Sequence, residues 1–435
     1  MSTVEARPRR YFRIQFLLFR YLGLGWWHHP DEGNTSNFPG LYIYYTIITE
    51  LLWVAGFVGL ETIDPFIGEK DVDRFMFSLS FVVTHDLTII KLYIFFFKNK
   101  EIQEIVHTLE IGLYNFYQNN KRNRATFKLS RIMTGSFIFF GWITIMNTNI
   151  YGIVQDYRWK KEIATLNKSS PMPARTLPQP IYIPWPYQSE GSYVFTFALE
   201  TIGILWTGHI VMGIDTFIGS IILHMGNQFV NLQEAIRTGY DRAMLQLYER
   251  IDTSDRIDDT KTIERIVRAH YPENDIDACV EDVVRKCILQ YQVLLDCIQK
   301  FNDTYTYGFM TQLLSSVAAI CSVMVQLSQD ASSFKSIRIV TSLAFFFAMI
   351  IQLAIQCFTG NELTYQAAQV SDVLMQCKWE RMPVRVRRLL MLTMLRAQRP
   401  VRLTAAGFAN MDNACFLSIM KAAYSYYAVL SQRQA

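Results

Sequence analysis

The sequence predicts an all-α, polytopic membrane protein with seven transmembrane helices, a cytoplasmic N-terminus, an extracellular C-terminus and a helical cytoplasmic domain. Three observations predict it. Of 435 residues 51% are hydrophobic and 14% aromatic, only 18% are charged, and mean hydropathy is +0.12, too apolar for a soluble globular chain and too rich for disorder. Seven windows hold the roughly 20 apolar residues that cross a bilayer core: 41–60, 75–97, 132–154, 193–222, 309–328, 337–358 and 404–430. Lysine and arginine, finally, collect in alternate connecting segments.

The chain opens with arginines at 7, 9, 10, 13 and 20 around "YFRIQFLLFRYLGLGWW". That run is broken too often for a span or a signal-peptide core. It reads as an interfacial amphipathic helix with Trp26 and Trp27 at headgroup level.

Orientation follows from the connecting segments. One set carries five (1–40), six (98–130), ten (223–308) and eight (359–403) Lys and Arg; the other carries two (61–74), five (155–190), one (329–336) and one (431–435). Without the long 223–308 segment, which the positive-inside rule does not count, the bias is 19 against 9, and the N-terminus is assigned to the cytoplasm. Of the glycosylation sequons, Asn167 falls on the predicted outside, while Asn34 and Asn302 fall inside. This orientation opposes the G-protein-coupled receptor, the seven-span alternative with its N-terminus outside. The cysteines agree: Cys279, Cys287, Cys297 and Cys377 lie in predicted cytoplasmic regions and Cys321, Cys357 and Cys415 in spans, so none is left for an extracellular disulfide.

The cytoplasmic parts are patterned. Val280, Val283, Cys287, Tyr291, Leu294, Ile298 and Phe301 recur at steps of three and four, predicting an amphipathic helix that runs into span five. Span four similarly continues past Met225 through Phe229, Leu232 and Ile236. Residues 251–275, with "DTSDRIDDTK" and Pro272, break the pattern and read as a solvated loop. The exposed apolar faces must bury themselves against one another.

Other chemistries find no footing. A net charge of +4 gives nucleic acid no electrostatic basis. No Cys-x-x-Cys, His-Glu-x-x-His or Gly-rich phosphate loop is present, so neither enzyme, metal nor cofactor is expected.

The segment from 377 reads "CKWERMPVRVRRLLMLTMLRAQRPVRLTAAGFANMDNACFLSIMKAAYSYYAVL". Trp379, Arg387, Leu389, Leu390, Arg396, Gln398, Pro400, Ala405, Phe408, Phe416, Ser425 and Tyr426 make it closely resemble the C-terminal signature of insect odorant receptors, and "FRYLGLGWW" is also family-like. A gustatory receptor of the same superfamily is the nearest alternative, although "SYYAVLSQRQ" keeps the Gln but not the Phe of its usual ending.

The resemblance implies an odorant-gated, non-selective cation channel, a heterotetramer at the plasma membrane of an olfactory neuron's dendrite. At this length, with no insertion in 223–308, the chain resembles a ligand-tuned subunit that partners the odorant co-receptor. The implied partition is a cytoplasmic segment 1–40, a ligand-binding bundle 41–222, a cytoplasmic extension 223–308, spans five and six 309–358, an anchor segment 359–403 with Trp379, Arg396 and Pro400, and a pore-lining helix 404–435. Carried over by position, the hydrophobic gate falls on Val429, with Gln432 outside it and Arg433 where the co-receptor keeps an apolar residue. A ring of valines closes a pore by dewetting.

In the family the ligand lies between spans two, three, four and six, in their outer halves. Candidate lining residues at helical spacing are Phe77, Phe81, Thr84 and His85; Thr144, Asn147 and Tyr151; Phe197, Thr201 and Leu205; Thr341, Ala344, Phe345 and Ala348. Such a wall suits a small neutral volatile, aromatic ones included, held by dispersion and desolvation. Lipid and permeant cations complete the expected partners. Of the ionisable residues in spans, His85 and Glu200 sit at ligand depth, Lys91 is expected to snorkel, and His209 and Asp215 to cap the cytoplasmic half of span four.

Overall fold

The computed structural model describes residues 11–24, 40–67, 72–165, 173, 175–251, 259–332 and 336–432. Trp26, Trp27, Asn34, Asn167 and Arg433 lie outside the described residues, as does the side chain of Gln432.

Helices make up nearly all of it. In chain order they are α1 (Arg13–Tyr21), α2 (Gly40–Thr49), a π-helical stretch Glu50–Val58, α3 (Gly59–Ile67), α4 (Val72–Phe97), α5 (Asn99–His107), α6 (Asn120–Thr165), α7 (Glu190–Arg237), α8 (Gly239–Tyr248), α9 (Thr260–His270), α10 (Glu273–Ser332), α11 (Ser336–Gln376), α12 (Val384–Ala397) and α13 (Asn413–Gln432). Among the described residues six helices are long and apolar enough to cross a membrane: Tyr42–Ile67, Arg74–Phe97, Asn120–Thr165, Glu190–Arg237, Glu273–Ser328 and Arg338–Gln376. They match the first six expected spans, and the chain is a helical, polytopic membrane protein. The seventh candidate, α13, has 20 residues but interrupts its apolar run with Lys421, serines and tyrosines.

Spans four and five extend well beyond a bilayer's width, as their apolar stripes predict. α7 runs unbroken for 48 residues and α10 for 60, so the boundaries drawn at 222 and 308 fall inside continuous helices. Side chains start several of these rods. Ser189 accepts from the Ser192 N–H at the head of α7, Asn119 from Lys121 and Arg122 before α6, and Asp412 from Cys415 before α13, each satisfying amides the first turn cannot.

Two apolar cores hold the bundle. The larger joins α1 and α5 with α7, α8, α9, α10 and α12; the smaller includes Phe57, Phe81, Phe137, Ile204 and Phe345. α1 differs from its expected interfacial role, because Phe12 and Phe19 are fully buried and edge onto Phe217 of α7. The run "FRIQFLLF" is broken because one face enters protein: even Gln15 is buried and donates to Ser220.

The expected 251–275 loop contains α9. Asp259 caps it by accepting from Lys261 and Thr262, and Ile263 and Val267, four residues apart, are buried. Two apolar side chains are too short a stripe to stand out in sequence, yet they suffice for three turns on a larger core. The last expected span also begins later than 404. Residues 404–410 form a hairpin, Thr404↔Asn410 and Ala405↔Ala409, turning through Ala406 and Gly407, both at positive φ. Asn302 of α10 holds it by accepting from the Thr404 N–H at 2.8 Å, so this sequon serves packing.

Candidate functional site

α4, α6, α7 and α11 part around a cavity that gives the centre of a water-sized sphere ≈ 60 Å³ of free space. α4 supplies Phe81, Thr84 and His85; α6 Phe137, Gly141, Thr144, Ile145 and Thr148; α7 Ile204, Gly208, Val211 and Met212; α11 Phe345, Ala348 and Met349. A sixteenth residue, Gln179, enters from the α6–α7 connection.

The part of the wall supplied by the four helices is apolar because its threonine hydroxyls and the Nδ1 of His85 are already engaged. Thr84, Thr144 and Thr148 donate their hydroxyls to the carbonyls of Ser80, Phe140 and Thr144 one turn back. His85 turns Nδ1 to Glu61 at 2.6 Å, and Phe81 lies 5.0 Å from Phe345, centroid to centroid. At Gly141 a Cβ would run into the Met212 sulfur, so glycine is what lets that thioether fill the space. Met212 and Met349 are unbranched and adapt their shape.

The roof is built from "RTLPQPIYIPWP". Arg175, 1% exposed, pairs with Asp156 at 2.6 Å and with Glu190 at 2.9 Å, and its guanidinium lies over Trp159 and Tyr193. The fork thereby ties the connection to the ends of α6 and α7. Pro178 then descends onto Gly152, where any Cβ would lie 2.5 Å from the proline ring. Glu200 accepts the Gln179 N–H at 2.5 Å, and the Leu60 carbonyl that of Tyr182 at 3.3 Å.

The expected lining residues divide accordingly. Phe81, Thr84, His85, Thr144, Phe345 and Ala348 face the cavity. Phe77 packs on Phe81 and under Arg338. Asn147 donates to its own helix at Ile143, and Thr201 to Asn149 at 2.6 Å. Phe197 lies against Tyr193 and closes on Gly152. Tyr151, Thr341 and Ala344 also lie away from the cavity, as does Leu205, turned about 100° from Ile204. The cavity sits deeper along α6 and α7 than outer halves imply, because the roof occupies the outer space. A stride of three and four from Thr144 back to Gly141 and on to Thr148 finds two of the missed residues on α6, and the missed Ile204, Gly208, Val211 and Met212 follow the same stride on α7; Gln179 has no periodic signal.

The ionisable residues differ more. Glu200 lies behind the roof rather than on the wall. Lys91 does not snorkel: it is 4% exposed and meets Asp215 at 2.5 Å. Asp215 is mid-helix and also accepts from Gln352 and Gln356. A cation this deep is held by its carboxylate, not by reaching water.

α13 packs one side, including Cys415 and the fully buried Ala423, on α10 and α11. Leu417, Lys421, Ser425 and Val429, at four-residue steps, are exposed, Val429 to 55%. Asp412 is the cap of this helix. Trp379, Arg396, Pro400 and Tyr426 are exposed as well.

Comparison with known proteins places this architecture. The family described as "7tm Odorant receptor" matches residues 71–424. Odorant receptor Or1 of Anopheles gambiae is 23% identical, with 99% of this chain and 97% of the relative covered. Odorant receptor 22c of Drosophila melanogaster is 22% identical, covering 80% and 79%. The insect olfactory receptor OR5 from Machilis hrabei, solved in complex with eugenol, superposes with a TM-score of 0.73 over 97% of both chains at 11% identity, and the same receptor solved separately gives 0.70.

Proposed function

The chain belongs to the 7tm odorant receptor family, and from that premise we propose that it is the ligand-tuned subunit of a heteromeric, odorant-gated, non-selective cation channel. A small neutral volatile binds in the cavity beneath the 175–189 roof. The observation that carries this reading is the cavity itself, a buried apolar space between four helices with one fixed polar roof. Its size suits a ligand of few heavy atoms, and Met212 and Met349 yield to a larger one.

Opening is assigned to α13. Its uncovered face, which carries Lys421 and Ser425 beside Leu417 and Val429, is what supports a pore role, because polar side chains on a span are costly against lipid and call for partner subunits or water. Val429 forms the gate, with Gln432 just outside it, and the helices around Trp379, Arg396 and Pro400 anchor the assembly in the cytoplasm. The N-terminus is cytoplasmic, the C-terminus extracellular, Asn167 a glycosylation site, and the neuronal dendrite the site of action.

The test is expression in oocytes with and without the co-receptor, followed by excised patches free of GTP. Odorant-evoked cation current that needs both chains and no nucleotide supports the reading. Current that requires GTP sinks it.

A further inference from the structure

Gln179 is 2% exposed, and among the described residues neither its Nε2 nor its Oε1 has a hydrogen-bond partner. Its backbone is pinned, the N–H donating to Glu200, so the side chain is held over the cavity it lines. The rest of the wall offers no free donor in its threonines, which spend their hydroxyl protons on the carbonyls one turn back. A buried amide left bare is costly, and folds keep one where something else completes it.

We propose that Gln179 is the specificity-determining contact for a neutral ligand carrying one hydroxyl group, an alcohol or a phenol, on an apolar body. A hydroxyl meets the amide in either role, accepting from Nε2 or donating to Oε1. A carbonyl can only accept, and a hydrocarbon does neither. Charged ligands are disfavoured because no unpaired countercharge faces the space. The inference rests on the cavity being the odorant site.

The experiment records dose–response curves in oocytes co-expressing the co-receptor, using cyclohexanol, cyclohexanone and cyclohexane, then benzyl alcohol, benzaldehyde and toluene. In the wild type the alcohol leads each series and the hydrocarbon is weaker by about tenfold or more. Gln179→Met keeps the length and the backbone N–H, so surface labelling holds while the alcohol's lead shrinks to about threefold or less. Ala348→Phe, with Ala348→Val as the milder variant, fills the cavity and weakens every response. If Gln179→Met keeps the wild-type ranking while the Ala348 variants weaken all responses, the inference is overturned and the site stands. Responses untouched by either overturn the site and the inference with it, and a wild type at the surface that ignores both series overturns the hydroxyl assignment.

Discussion

Lys91 Nζ lies 2.5 Å from Asp215 Oδ1, joining α4 to α7 below the cavity, with side chains 4% and 1% exposed. Taking two charges from water is repaid only by their contact and by the amides of Gln352 and Gln356 around it. Replacing one partner, Lys91→Met or Asp215→Leu, leaves a buried charge alone and costs about 3–5 kcal/mol. Surface biotinylation should collapse in each single variant and recover in the double. Equal loss in all three would mean the pair does more than neutralise itself.

Phe81 lines the cavity and Tyr151 does not, although both have the helical spacing expected of the wall. Phe81→Ala should shift potency for a small ligand by about 1–3 kcal/mol and favour bulkier ones. Tyr151→Ala should leave dose–response curves within about 0.5 kcal/mol. The reverse order would move the site outward.

These two aromatics show how much the sequence could carry. Span positions, the long amphipathic extensions and part of the wall, Phe81, Thr84 and His85 of α4 with Phe345 and Ala348 of α11, follow from hydrophobic runs and helical stride, because each is a local pattern. Depth along α6 and α7 does not: it follows from the roof, whose Pro178 descends onto Gly152 of α6, a contact between residues with no shared periodicity. Nor does Lys91 announce whether it will reach water or Asp215, since its partner is 124 positions away. The 404–410 hairpin was hidden in an apolar run that hydropathy alone continues into the last helix.

Glu264 of α9 accepts from Tyr240 at 2.9 Å, Arg268 at 3.2 Å and Arg381 at 2.8 Å. Burial pushes its carboxyl up, but the hydrogen bonds from Tyr240 and Arg268 and the charges of Arg381 and Arg268 outweigh it and hold it below the ordinary glutamate value. A depressed value means the stabilisation is whole at neutral pH and is lost as pH falls through and below the glutamate range. Thermal melting of the solubilised protein from neutral to about pH 3 should show that loss, and Glu264→Gln should flatten it. An unchanged slope in the variant would assign the acid sensitivity elsewhere.

Val429 stands on the uncovered face of α13, 55% exposed. As a dewetted gate, it should pass resting current when made polar, so Val429→Ser heteromers leak and change ion permeability. Lower surface expression with normal gating would describe a residue facing lipid.

The claim at the centre is that odorant occupies the space beneath Gln179, and cysteine protection at Ala348 tests it most directly. In heteromers carrying Ala348→Cys, a small thiol reagent should abolish the odorant response, and odorant present during exposure should slow that block in proportion to its occupancy, while wild-type channels ignore the reagent. Block of Ala348→Cys that saturating odorant does not slow would contradict the account.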